Sequence, residues 1–298
     1  MPDTWATVAE VDSPARVRVR STPAVDGRVL PEVRWASWII VAILIPALIV
    51  LWGLPDRTAD LWAWTFKPDM TAIFMGSGYG AGAYFFTRVA TARQWHTVSV
   101  GVLSAALFAA LMLVVTLIHY DRFNHGDAPF LAAFAFYGWV VVYIAAPPLV
   151  GWLWLRNQRL DPRVRAPGDP VVPRAAILVA RLVGGCAVLA AAVFLISPST
   201  AIDVWPWTLT PLTARVLACF TAQVGIGALL LSLDERWSAW RVLLQTFLVA
   251  SVLLLVGSAR AWSDFDQDEP STWLFLGGLV AVAAAVLTLR RRMRAARV

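Results

Sequence analysis

Stretches of about twenty apolar residues alternate with short polar segments along almost the whole chain. Eight stand out, at 35–54, 70–88, 97–119, 129–155, 174–197, 211–233, 237–258 and 271–290. A bilayer core of about 30 Å needs roughly 20 apolar residues per helix, so each stretch is predicted to cross a membrane. None has the strict two-residue alternation of a barrel strand. In lipid every backbone polar group must be bonded within its own segment, which leaves helices. The predicted fold is an all-α polytopic membrane protein with eight transmembrane helices.

The pattern also repeats. LWAWTFKPDMTAIFMGSGYGAG at 61–82 returns as VWPWTLTPLTARVLACFTAQVGIG at 204–227. Trp62, Trp64, Thr65 and Pro68 meet Trp205, Trp207, Thr208 and Pro211 at one constant offset, and Pro55 meets Pro198 at the same offset. After one-residue deletions Trp95 and Phe123 meet Trp237 and Phe265, and Pro129 meets Pro270. The chain thus divides into a tail (1–34), a first four-helix repeat (35–155), an Arg- and Pro-rich linker (156–173), a second four-helix repeat (174–290) and a basic tail (291–298). An even number of spans per repeat leaves both halves pointing the same way, so the repeats are parallel and tandem.

Composition agrees with the pattern. Hydrophobic residues make up 59% and charged residues 15%, with mean hydropathy +0.67. An ordinary soluble domain is about 25% charged. The isoelectric point of about 10.0 raises nucleic acid as a partner, but the placement of the arginines removes it. With the N-terminus inside, Arg16, Arg18, Arg20, Arg28, Arg34, Arg88, Arg93, Arg156, Arg159, Arg163, Arg165, Arg174, Arg236, Arg241 and the tail from Arg290 to Arg297 share one side. Arg57, Lys67, Arg122, Arg215 and Arg260 occupy the other. By the positive-inside rule both termini are cytoplasmic. The basic tail is expected to sit on anionic lipid, and the alternating Arg and Val of 15–20 either does the same or is a solvated tail. No short apolar region with a cleavage site stands near Met1, so the first span is expected to act as its own insertion signal. Near-exclusive use of Arg over Lys, with abundant Ala and Val, points to a bacterial cytoplasmic membrane.

Candidate chemistry is sparse. The connectors carrying Trp62, Trp64 and Thr65 and Trp205, Trp207 and Thr208 suit interfacial segments, since indole prefers the headgroup layer. They also suit the lips of a vestibule or a surface for a partner or lipid. Gly76, Gly78, Gly80 and Gly82, with Gly225 opposite, are spaced for close helix packing between the repeats. Thr210-Pro211 reads as a helix start, and Pro147-Pro148 as a kink or break in the fourth span. The loops after spans three and seven hold His119, Asp121, His125, Asp127, Asp264, Asp266 and Asp268, the densest group of metal or proton ligands. The competing reading is that outer loops are acidic because basic residues are kept inside. Cys186 and Cys219 lie within spans and offer neither a disulfide framework nor a zinc spacing. No nucleophile motif is present and no Asp or Glu lies well inside a span.

No cofactor is expected. The leading functional reading is a non-enzymatic membrane protein that binds a lipid, a membrane-protein partner or a second copy of itself through its Trp connectors and acidic loops. A permease or channel for a neutral or lipid-like solute, with its path between the repeats, is the alternative. An enzyme using the loop from His119 to Asp127 is the third.

Overall fold

The computed structural model describes residues 27–295. The segment 15–20 and the chain end at Arg297 lie outside the described residues. Ten α-helices follow one another among the described residues: α1 (Pro31–Leu48), α2 (Thr58–Leu61), α3 (Asp69–Thr91), α4 (Ser99–Ile118) and α5 (Phe130–Gln158), then α6 (Arg174–Ile196), α7 (Pro198–Val204), α8 (Pro211–Leu231), α9 (Trp237–Arg260) and α10 (Pro270–Ala295). Among the described residues two isolated bridges are the only strand-like pairing. The protein is an all-helical polytopic membrane protein.

Seven helices among the described residues are long and apolar enough to cross a bilayer: α1 extended to Gly53, α4, α5, α6, α8, α9 and α10. The stretch read as the second span, α3, is long enough but falls outside that set, diluted by Gly76, Ser77, Gly78, Gly80 and Gly82. Most of its side chains are buried, so protein rather than lipid is their solvent.

Prolines mark the helix starts. Pro31, Pro198, Pro211 and Pro270 each stand at the first helical position, where a missing N–H costs nothing. At α8 the expected start forms a full capping box, with Thr210 and Thr213 satisfying each other's backbone N–H. Inside helices the outcome varies. Beyond Pro46 the first span loosens into a π-turn at Ile49–Gly53. By contrast, α5 runs as one continuous helix through Pro147 and Pro148, so of the expected kink or break the break does not occur. Helix bounds also shift outward: α1 begins inside the predicted tail, α5 takes up 156–158, and α10 takes up 291–295.

The two halves share their element order and their contacts at corresponding positions. Trp95 N donates to Gly27 O at 2.7 Å, and Trp237 N to Pro170 O at 3.1 Å. Asn124 N donates to Ala63 O at 2.7 Å, and Asp266 N to Pro206 O at 3.1 Å. The bridge between Arg28 and Gln94 has its counterpart between Val171 and Arg236.

Within each half the first long helix packs on the second (α1 on α3, α6 on α8) and the third on the fourth (α4 on α5, α9 on α10). Across the halves, α3 packs on α9 and α8 on α4. The centre is therefore a ring of α3, α4, α8 and α9, two helices from each half. The peripheral helices α1, α6 and α10 leave most of their surface exposed, as lipid contact requires.

The glycines divide between these seams. A Cβ on Gly76 would meet the backbone of Trp52 at 2.8 Å, and one on Gly225 would meet Gly184 O at 2.9 Å, so both serve packing within a half. Gly82 likewise faces Leu44 of α1. Gly78 faces Phe220 of α8, and Gly80 faces Leu253 of α9 as well as Leu48 of α1. Of this run only Gly78 and Gly80 serve close packing between the halves, where Gly257 of α9 likewise faces Ile73 of α3.

Candidate functional site

The loop that follows the third long helix of each half folds over the Trp connector and closes that end of the bundle. This brings aromatic rings onto the second tryptophan of each motif. Trp64, 2% exposed, packs against Phe66, Phe123 and Trp139 at 4.6, 5.0 and 4.9 Å between ring centroids. Trp207, 3% exposed, packs against Phe265 and Phe275, both at 5.3 Å. Its Nε1 donates to Thr71 Oγ1 of the other half at 2.9 Å. The rings therefore do not lie outward on a membrane surface as interfacial anchors would. Edge-to-face aromatic neighbours hold them inside, while Thr65 and Thr208 remain exposed.

Trp62 and Trp205, the first tryptophans of the motifs, are half-buried and each borders an apolar space. Trp205 borders a cavity of about 330 Å³ bounded by α3, α4, α8, α9 and α10. Its walls include Gly78, Ala81, Phe220, Leu243, Ala250 and Phe275. Polar side chains in the lining are mostly spent on their own helices: Ser104 donates to Gly101 O, Thr221 to Leu217 O and Thr246 to Val242 O. The amide of Gln223, also in the lining, has no hydrogen-bond partner among the described residues. Trp62 borders a second space of about 480 Å³ between α1, α3 and α5, with Tyr79, Trp139 and Tyr143. There the hydroxyls of Tyr79 and Tyr143 pair at 3.0 Å.

The indole Nε1 atoms of Trp62, Trp64 and Trp205 are buried without a hydrogen-bond partner. A buried indole N–H usually finds an acceptor, and lacking one costs about 1–3 kcal/mol. Two of these three donors belong to residues that border the apolar spaces.

The acidic and histidine-bearing loops are not gathered into one site. Among the described residues no group of three or more His, Cys, Asp or Glu stands close enough to hold a metal ion. His119 Nε2 accepts from Arg215 Nη1 at 2.9 Å. His125 stacks on Tyr120 at 5.0 Å, with its Nε2 buried and unpartnered. Asp264 accepts from Met70 N at 2.8 Å, capping α3 from the other half. Asp266 accepts from Asp268 N at 3.1 Å, and Asp121 and Asp127 are exposed. These pairings spread the expected ligands among separate tasks, so the loop that carries His119 offers no assembled acid–base set.

Arginine has no acceptor, so the contact to Arg215 requires a neutral His119. Burial, then the Arg215 and Arg122 guanidiniums, lower its pKa from the usual 6.5. A depressed histidine pKa means that the unfolded chain binds more protons, so stability is lost as pH falls below about 6.5 and through the folded value. The thermal midpoint is expected to fall over that window in the wild type and less steeply in His119→Gln. Parallel curves would remove this role.

A second polar network, at the end that holds the linker, escaped the sequence reading. Arg236 pairs with Asp161 at 3.2 Å and with Asp234 at 2.7 Å. Nearby, Ser238 Oγ donates to Asp169 Oδ2 at 2.5 Å and lies 2.8 Å from His96 Nε2. Burial, then Arg236, lowers the His96 pKa. Burial pushes the Asp161 carboxyl up, but hydrogen bonds from Arg236 and from Arg163 N hold it below its ordinary value. The linker is therefore docked on the start of α9 through Asp161 and Asp169. Spacing gave no signal for this, because the partners are some seventy residues apart.

No protein-family model, curated protein or solved structure matches the chain, so its functional reading rests on its own residues.

Proposed function

We propose that the protein is a non-enzymatic membrane protein that binds a lipid or lipid-like ester within the bilayer, between its two halves. The observation that carries this reading is the apolar cavity between α3 and α4 of one half and α8, α9 and α10 of the other, with Trp205 and the uncommitted amide of Gln223 in its wall. Small residues on α3 make the space, and aromatic rings bound it. A wholly hydrocarbon ligand would leave the Gln223 amide in the wall unpaired. An ester carbonyl beside that amide would give it a partner while the acyl chain fills the apolar remainder of the space. In this reading the Trp connectors are lips rather than flat anchors, α3 is the eighth crossing, and the arginine-rich linker end faces the cytoplasm.

The alternative is a permease. Its support is the position of the same cavity on the seam between like halves, where carrier sites often lie. Movement of solute would separate it from simple binding.

Filling the cavity tests the site. Ala250→Trp puts an indole into the wall from α9, at a position outside the connectors. Native mass spectrometry of gently extracted protein is expected to show a stoichiometric lipid on the wild type. On Ala250→Trp its occupancy is expected to fall roughly tenfold, a loss of about 1.4 kcal/mol. Equal lipid on both, in a variant that keeps its thermal midpoint, would reject the cavity as the site.

A further inference from the structure

At the linker end, α9 and α10 enclose a small concavity of about 60 Å³ lined by Trp237, Arg241, Arg290 and Arg294. Three of its four lining residues carry guanidiniums and none carries a carboxylate. Arg290 and Arg294 are one helical turn apart, so they share a face of α10 and repel each other there. Neither has an ion-pair or hydrogen-bond partner among the described residues.

The frame that holds them is fixed. Val286 and Met293 of α10 are 5% and 3% exposed, in one core cluster with Trp237 and Trp240 of α9. The concavity is thus part of a packed helix pair and not a fraying terminus.

The first half supplies a comparison. The residues that correspond to Arg241, Arg290 and Arg294 there are Ser99, Leu149 and Leu153. The same helix pair, α4 with α5, therefore ends its spans without a charge cluster at this place. Anchoring a span at the membrane surface does not demand three arginines here.

We propose that this concavity is a phosphate site, occupied by the headgroup phosphate of an anionic phospholipid at the membrane surface. Guanidinium is planar, always charged and matched in geometry to phosphate oxygens, and the unpaired Arg290 and Arg294, with Arg241 beside them, suit a tetrahedral anion better than a carbonyl. The site is distinct from the central cavity and does not depend on it. Its partner is a surface headgroup, whereas the cavity takes an apolar body.

Delipidated protein in neutral detergent, titrated with phosphatidylglycerol or phosphatidylcholine and read by native mass spectrometry, tests it. The wild type is expected to prefer phosphatidylglycerol. The double variant R290Q/R294Q is expected to weaken that binding about thirtyfold, from roughly 1 kcal/mol per basic residue at a membrane surface. Arg292→Gln removes an exposed charge from the same turn but outside the concavity, and is expected to weaken binding by no more than the roughly fivefold of one basic residue at a membrane surface. Undiminished binding by the double variant, or an equal loss in Arg292→Gln, would overturn the site. Displacement of the lipid by millimolar inorganic phosphate, with the same dependence on Arg290 and Arg294, would keep the phosphate site and assign it to a soluble phosphate.

Discussion

Replacing Arg236 with methionine is expected to destabilise the protein by about 3–5 kcal/mol, the usual cost of removing one partner from a buried ion pair. The Asp161 side chain is 3% exposed and that of Asp234 18%, so neither carboxylate recovers full hydration when the guanidinium goes. Arg236 meets both through its fork: Nε and Nη2 on Asp234, Nη1 and Nη2 on Asp161. Arg236→Lys keeps the charge but loses the paired geometry, and is expected to fall between wild type and methionine. Adding Asp161→Asn to Arg236→Met should return part of the loss, because the stranded charge is then gone. Thermal unfolding in one detergent, across the four proteins, reads the series. A methionine variant within about 0.5 kcal/mol of wild type would mean that the linker is not held by this network.

The second large effect is expected at the crossing of α6 and α8. A Cβ on Gly225 would stand 2.9 Å from Gly184 O and from Val188 N, and a Cβ on Gly184 would stand 2.9 Å from Gly225 O. These obstacles are backbone, so no rotamer change relieves them and the helices must separate. Gly225→Ala is expected to cost about 1–3 kcal/mol, and Gly225→Leu more. Gly185, beside the crossing, has nothing within 4 Å of its Cβ position. There alanine is expected to be neutral or to gain up to about 1 kcal/mol from helix propensity alone. Opposite signs at two glycines on either side of a single contact are hard to obtain from composition. Equal shifts in thermal midpoint would show that the crossing is looser than drawn.

Much of this fold is legible in the sequence because lipid imposes so strict a rule. Apolar length gives the helices, and the recurrence of Trp-x-Trp with its prolines gives the like order of the halves. The helix start at Thr210-Pro211 is equally local and equally readable. What does not read out is which face of a helix meets which neighbour. In water an apolar stripe marks the buried face, but in a membrane both faces of α4 or α9 are apolar, so periodicity says little about partners. The glycine run of α3 signals close approach without saying that Gly76 faces α1 while Gly78 faces α8. The tryptophans likewise signal the end of the span, yet the burial of Trp64 and Trp207 depends on loops some sixty residues later. The docking of Asp161 and Asp169 onto the start of α9 is invisible for the same reason.

The two cross-half seams are built alike but filled differently. Arg215 and His119, bonded across α8 and α4, correspond to Ala72 and Ala261 on the other seam, both buried. In a dimer of identical chains each substitution would appear on both sides of the two-fold axis, and a polar pair on one seam would force a polar pair on the other. Joining the halves in one chain lifts that constraint and lets one seam take the proton-sensitive contact of Arg215 with His119 while its twin takes a neutral one, Tyr84 Oη donating to Gln245 Oε1 at 2.9 Å. Protonation of His119 should therefore weaken the contact between α8 and α4 with no matching change at Ala72 and Ala261.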